Sequence, residues 1–195
     1  SAAGYDRGAD GRLTDREGWT EAAALLPSVI PDQPAELVEA LQHAFREEAG
    51  RAAAERMAMT ATDVLRALAA HGSPSFRAWF EEHEHEVERV VRKVFAHAWK
   101  PPGTVLSTSE NGRLEARKVS DKEYIVVDRQ EGFKVHFTDG PRKAKDWLSK
   151  NAHKYLTPAE VAYREAEAQR RKAAEPARIA AEKERLAARD RDDRV

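Results

Sequence analysis

The chain has 195 residues, of which 34% are charged and 7% aromatic, and its net charge is −1. That is room for one domain or two small ones around a modest core, and the balance of charge is too even to name a polyanionic or polycationic partner. The absence of cysteine excludes disulfides, thiolate metal sites and cysteine catalysis and is compatible with a reducing, cytoplasmic setting.

No apolar run approaches the roughly 18–20 residues of a membrane span, and no signal-peptide pattern opens the chain, so no membrane contact is expected. The opening Ser1-Ala2-Ala3-Gly4 lacks an initiator Met and reads as an expression scar on a domain cut from a larger multidomain protein. Residues 1–13, rich in Gly and Asp, are expected to be a flexible N-terminus.

A helical bundle is expected over 14–100. Thr14-Asp15-Arg16-Glu17 fits a capping box, and Trp19, Ala22, Leu26 and Val29 follow at helical spacing until Pro31 and Pro34. A second helix would bury Leu37, Val38, Leu41 and Phe45, with Gly50 ending or weakening it before an Ala-rich stretch to Met59. Thr60 to Asp63 restarts a helix that carries Val64, Leu65 and Leu68, with Gly72 a natural C-cap. Ser73-Pro74 then opens the most regular pattern, a stripe of Phe76, Trp79, Phe80, His83, Val87, Val90, Val91, Val94 and Phe95. Its steps of three and four predict one five-turn helix, broken by Lys100-Pro101-Pro102-Gly103.

From Thr104 to Thr138 the texture changes to short β-branched runs between turn residues. Asn111-Gly112 is a strong hairpin signal, and Ser120-Asp121-Lys122 a weaker turn. A three-residue loop from Gln130 to Gly132 would pair Arg129 with Phe133, Val127 with Val135 and Ile125 with Phe137. That register gathers Ile125, Val127, Phe133, Val135 and Phe137 on one face, and Tyr124, Val126, Asp128, Lys134 and His136 on the other. The result is a three- or four-stranded antiparallel meander, its apolar side on the helices and its polar side in solvent. A short basic helix with Trp147 and Leu148 completes a 104–154 region. A polar helix, opened by the Thr157 to Glu160 capping box and interrupted by Pro176, fills 155–195 as a possible linker to a further domain. The fold class is therefore α+β and helix-dominated: a bundle, a small antiparallel meander and a long polar C-terminal helix.

Functional signals are sparse. Gly-rich phosphate loops, the GxSxG elbow and the zincin pattern are all missing, so no cofactor and no metal site is expected. In Glu82-His83-Glu84-His85-Glu86 the two histidines lie two residues apart and point away from each other on a helix, so this is read as a half-buried His83 among solvated acids. His97 reads as a capping or core residue near the stripe. The net charge is −5 over 1–100, +3 over 101–154 and +1 over 155–195, which turns attention to the middle segment.

Two constellations lie there. Arg142, Lys143, Lys145 and Lys150 surround Trp147 and, with Arg117 and Lys118 bordering the hairpin face, could contact phosphates while Trp147 stacks a base. His136 as acid/base, with Lys134 and Arg129 beside phosphate and Tyr124 orienting substrate, would suit metal-independent phosphodiester cleavage. The leading expectation is a non-enzymatic binding or scaffolding module, with nucleic acid at residues 113–154 or a protein or neighbouring domain as partner. The alternatives are a small phosphodiester-cleaving enzyme using His136, and a helical protein–protein adaptor working through the 75–99 stripe.

Overall fold

The computed structural model describes residues 12–192. Most of the expected flexible N-terminus lies outside them, while Leu13, counted within it, is buried in the core. The chain divides into two compact units, one ending at Ala152 and one beginning at His153.

In the first unit the helices are α1 (Asp15–Val29), α2 (Glu36–Glu55), α3 (Ala61–Ala70), α4 (Pro74–Glu82), α5 (Glu84–Ala98) and α6 (Pro141–Asn151). Local chemistry sets their starts. Thr14 Oγ1 accepts from the Glu17 amide at 3.2 Å while the Glu17 carboxylate accepts from the Thr14 amide at 3.2 Å. Thr60 and Asp63 form the same reciprocal pair at α3, and Ser73 caps α4. Helix α2 runs straight through Gly50 and stops where Arg56 turns left-handed at φ 55°. Gly72, at φ +87°, follows the α3 C-cap His71.

The single helix expected over the long stripe is two helices. The chain breaks at His83, whose Nδ1 lies 2.9 Å from the Trp79 carbonyl oxygen and whose ring stacks on Trp79 at 4.5 Å. At φ −115° and ψ 18° His83 leaves helical geometry while its amide still donates to the Trp79 carbonyl; apolar spacing carries no record of that. Most of the stripe faces inward. Phe76, Phe80, Val87, Val90, Val91, Val94 and Phe95 are all buried in the domain's own core. His97 is no core residue either: it is exposed and reaches Glu21 of α1 at 2.5 Å.

The sheet is a four-stranded antiparallel meander in the order β1 (Thr104–Thr108), β2 (Leu114–Lys118), β3 (Tyr124–Asp128), β4 (Phe133–Thr138). Ile125 and Val127 join Phe45, Phe95, Leu41 and Leu68 in one cluster, so the helices and the sheet share a core. At roughly 1.5–3 kcal/mol for each fully buried side chain of this size, those two residues alone bind the sheet firmly to the bundle.

The β3–β4 register differs from the expected one. Asp128 pairs with Phe133 across a four-residue turn, Val127 with Lys134, and Val126 with His136, so Val135 is an extra residue in a bulge. The turn is one residue longer than expected, and the buried Asp128 carboxylate holds it by accepting from the Gln130 and Glu131 amides at 3.0 and 3.1 Å. Beyond the bulge the expected pairs Val126–His136 and Ile125–Phe137 hold.

The face expected to be solvated is covered. Helix α6 packs across the sheet, and Leu114, Ala116, Tyr124 and Val126 are buried together with Ala144 and Leu148. All five residues of β3 are buried, as expected of a strand with both faces covered. Conversely Phe137, assigned to the core face, is 47% exposed, because β4 is an edge strand and the bundle does not reach its outer end.

The second unit is built on α7 (Pro158–Asp192). Glu160 and Thr157 cap its start, and it continues through Pro176 without interruption, against the expected break there. Ion pairs such as Arg171–Glu167 at 2.5 Å and Arg185–Glu182 at 2.7 Å line its surface, the i,i+3 and i,i+4 spacing that supports a polar helix.

Candidate functional site

The β3–β4 hairpin distributes the four residues expected to cleave a phosphodiester. Tyr124 is buried under α6. His136 lies on that same face, its ring stacked on Trp147 at 4.8 Å and 9°. The bulge sends Lys134 to the other side, where its ammonium sits 6.0 Å from the Phe137 ring centroid. Arg129 turns toward the bundle, donating to the Ala96 carbonyl at 2.6 Å with its guanidinium 5.9 Å from the Trp99 ring. Burial holds its pKa below the ordinary arginine value, with Arg117 adding to that effect and Glu115 opposing it. The four side chains therefore do not converge on one reacting atom. Among the described residues, no group of three or more His, Asp or Glu is placed to hold a metal ion, and no helix is long and apolar enough to cross a membrane.

The residues proposed to meet nucleic acid divide in two. Arg117 is spent internally: it donates to the Pro102 and Gly103 carbonyls at 2.9 and 2.7 Å and pairs with Glu115. Lys118 pairs with Asp121 at 2.7 Å. The rest sit on α6, which is held down by Ala144 and Leu148. Its other side presents Arg142, Lys143, Lys145 and Lys150, all exposed. Lys143 meets Asp139 at 2.7 Å and Arg142 meets Asp146 at 4.0 Å. Trp147, expected to stack a base, stacks His136 instead.

A second feature was missed by the sequence reading. On the bundle side of β4 lies an open cleft of about 620 Å³. Ala49, Ala52 and Ala53 of α2 form one wall, Met57 to Thr60 another, and Trp99 with Phe133 and Phe137 much of the rest. Both methionines of the chain are in it, and Met57 is 54% exposed. The signal was available: two flexible thioethers within three residues, Met57-Ala58-Met59, after an Ala-rich helix end. Methionine adapts to irregular apolar partners and is favoured at such surfaces.

Beside this cleft, Glu131 holds the hairpin to the bundle. Its carboxylate accepts from the Thr62 amide at 2.9 Å and pairs with Arg92, while its carbonyl accepts from the Ala61 amide at 3.0 Å. Burial alone would raise the carboxyl's pKa. The hydrogen bonds from Thr62 and Arg92, with Arg92's charge, outweigh burial and hold it below the ordinary glutamate value. Compared with known proteins, the chain matches no protein-family model, no curated protein and no solved structure.

Proposed function

We propose that this chain is a binding module that contacts nucleic acid through the outward side of α6. The observation supporting this is the set of Arg142, Lys143, Lys145 and Lys150 on one exposed helix surface, with Asp146 the single carboxylate of that helix. The local pairs to Asp139 and Asp146 are no obstacle, because exposed ion pairs are worth about 1 kcal/mol or less and exchange readily for phosphate. With Trp147 engaged by His136, the contact is with the phosphate backbone and is indifferent to sequence.

The test is fluorescence anisotropy of labelled single- and double-stranded DNA across a salt series. Three to four phosphate contacts give a slope of log K against log salt of about −3 on duplex. Neutralising Lys143 or Lys145 to Gln flattens that slope by about one each and leaves the fold intact. Failure to bind at low salt, or a slope unmoved by these substitutions, overturns the reading.

A further inference from the structure

We propose that the partner of α6 is B-form duplex DNA, with the helix lying in the major groove and its two flanks meeting phosphates of opposite strands. This rests on the nucleic-acid reading of α6 and narrows it. At roughly 3.6 residues per turn, Asp146 falls opposite the buried pair Ala144 and Leu148 that faces the sheet. Arg142 and Lys145 lie to one side of Asp146, and Lys143 and Lys150 to the other. Asp146 and these cations are all exposed. The cations therefore form two rows, one on each flank, and the single carboxylate of the helix sits on the ridge between them.

Two rows of cations are matched by two rows of phosphate about one helix-width apart. A helix with its side chains is about 10–12 Å across, and the major groove of B-DNA is about 12 Å wide and 8.5 Å deep. The minor groove, about 6 Å wide, cannot admit it. Nor can the deep, narrow major groove of an RNA duplex, and a single strand meets one flank at a time. Helix α6 is placed to enter a groove, because it packs on all four strands and its ridge points away from them. Asp146 then faces the groove floor, away from both rows of phosphate. A strand laid along the ridge would instead set phosphates against that carboxylate.

The experiment is fluorescence anisotropy of the full chain with probes of one sequence and about 20 nucleotides, as DNA duplex, RNA duplex and single-stranded DNA. At about 50 mM salt the DNA duplex binds roughly tenfold more tightly than either alternative, with a slope of log K against log salt of about −3 against about −1.4 for a single strand touching two cations. Lys145→Gln and Lys150→Gln remove one exposed charge from each flank. On the DNA duplex each flattens the slope by about one, and the double variant by about two. On the single strand either substitution alone leaves the slope unchanged, since the strand shifts to the intact flank. Methyl green, which occupies the major groove, displaces the protein, and netropsin, which occupies the minor groove, does not. Equal affinity for DNA and RNA duplexes, a duplex slope that responds to one flank only, or displacement by netropsin alone would each overturn the groove placement while leaving nucleic-acid binding in place. Absence of binding to every probe at low salt would overturn the reading of α6 itself, and this inference with it.

Discussion

Replacing Glu131 by Gln isolates one charge in the contact that ties the hairpin to the bundle. The amide keeps an oxygen for the Thr62 N–H, 2.9 Å away in the native protein, but gives up the ion pair with Arg92. Removing one partner of a fully buried pair costs roughly 3–5 kcal/mol. Here the Arg92 side chain is 21% exposed and keeps Glu88 at 2.8 Å, so the loss is smaller, about 1–2 kcal/mol. For a domain of this size that lowers the melting temperature by roughly 3–8 °C. Urea unfolding of wild type, Glu131→Gln, Arg92→Met and the double variant forms a cycle whose coupling energy should be close to 1 kcal/mol. The pH dependence gives an independent check. Because the folded protein holds this carboxyl below its ordinary pKa, its stabilisation is complete above the unfolded carboxylate range and is lost as pH falls through the folded value. The stability gap between wild type and Glu131→Gln is therefore full at neutral pH and closes in acid. A coupling energy under about 0.3 kcal/mol, or a gap that stays constant into acid, would refute the argument.

Glycines supply sharper contrasts by the same unfolding assay. A Cβ on Gly18 would lie 2.4 Å from Phe45 Cε1, so the overpacking cost of about 1–3 kcal/mol outweighs the helix-propensity gain of about 1 kcal/mol, and Gly18→Ala is net destabilising. Gly50 lies in the same bundle with nothing near it; Gly50→Ala should instead stabilise by about 0.5–1 kcal/mol, and a loss there would show that α2 is not helical through that point. Gly132→Ala meets both penalties, φ +84° and a Cβ 2.4 Å from Phe95 Cδ1, and should cost about 2–5 kcal/mol; a loss under 1 kcal/mol would show that the turn relaxes away from Phe95.

What was legible in the sequence was chemistry written in neighbouring residues. The Thr14 and Thr157 capping boxes need only a hydroxyl and a carboxylate three positions apart, and both form as read. Asn111-Gly112 turns the first hairpin with Gly112 at φ +72°. What failed depended on partners distant in sequence. Tyr124 to Asp128 alternates acceptably as a half-buried strand, yet Ile125 and Val126 point to two different packed layers. The clue was the continuous run Tyr124-Ile125-Val126-Val127, more apolar than a half-solvated strand requires. The break at His83 was hidden for the opposite reason. His83 fits the apolar stripe by position, and its polar nitrogen acts on a carbonyl four residues earlier.

The bulge at Val135 decides more about the placement of the candidate residues than any of these. Without it, Lys134 and His136 would share a face and lie within reach of one phosphate, as the regular register implies. With it, His136 faces Val126 and is covered by α6, while Lys134 faces Val127 and enters the cleft. No glycine or proline marks the position, and a bulge is set by how the strand must bend to follow its partner. Here the partner is fixed by Asp128, whose carboxylate holds the Gln130 and Glu131 amides and the Arg113 guanidinium. The turn it holds has four residues, one more than expected, and Val135 is left as the extra residue before the pairing beyond it resumes. The buried aspartate thus determines which side of the sheet carries the lysine.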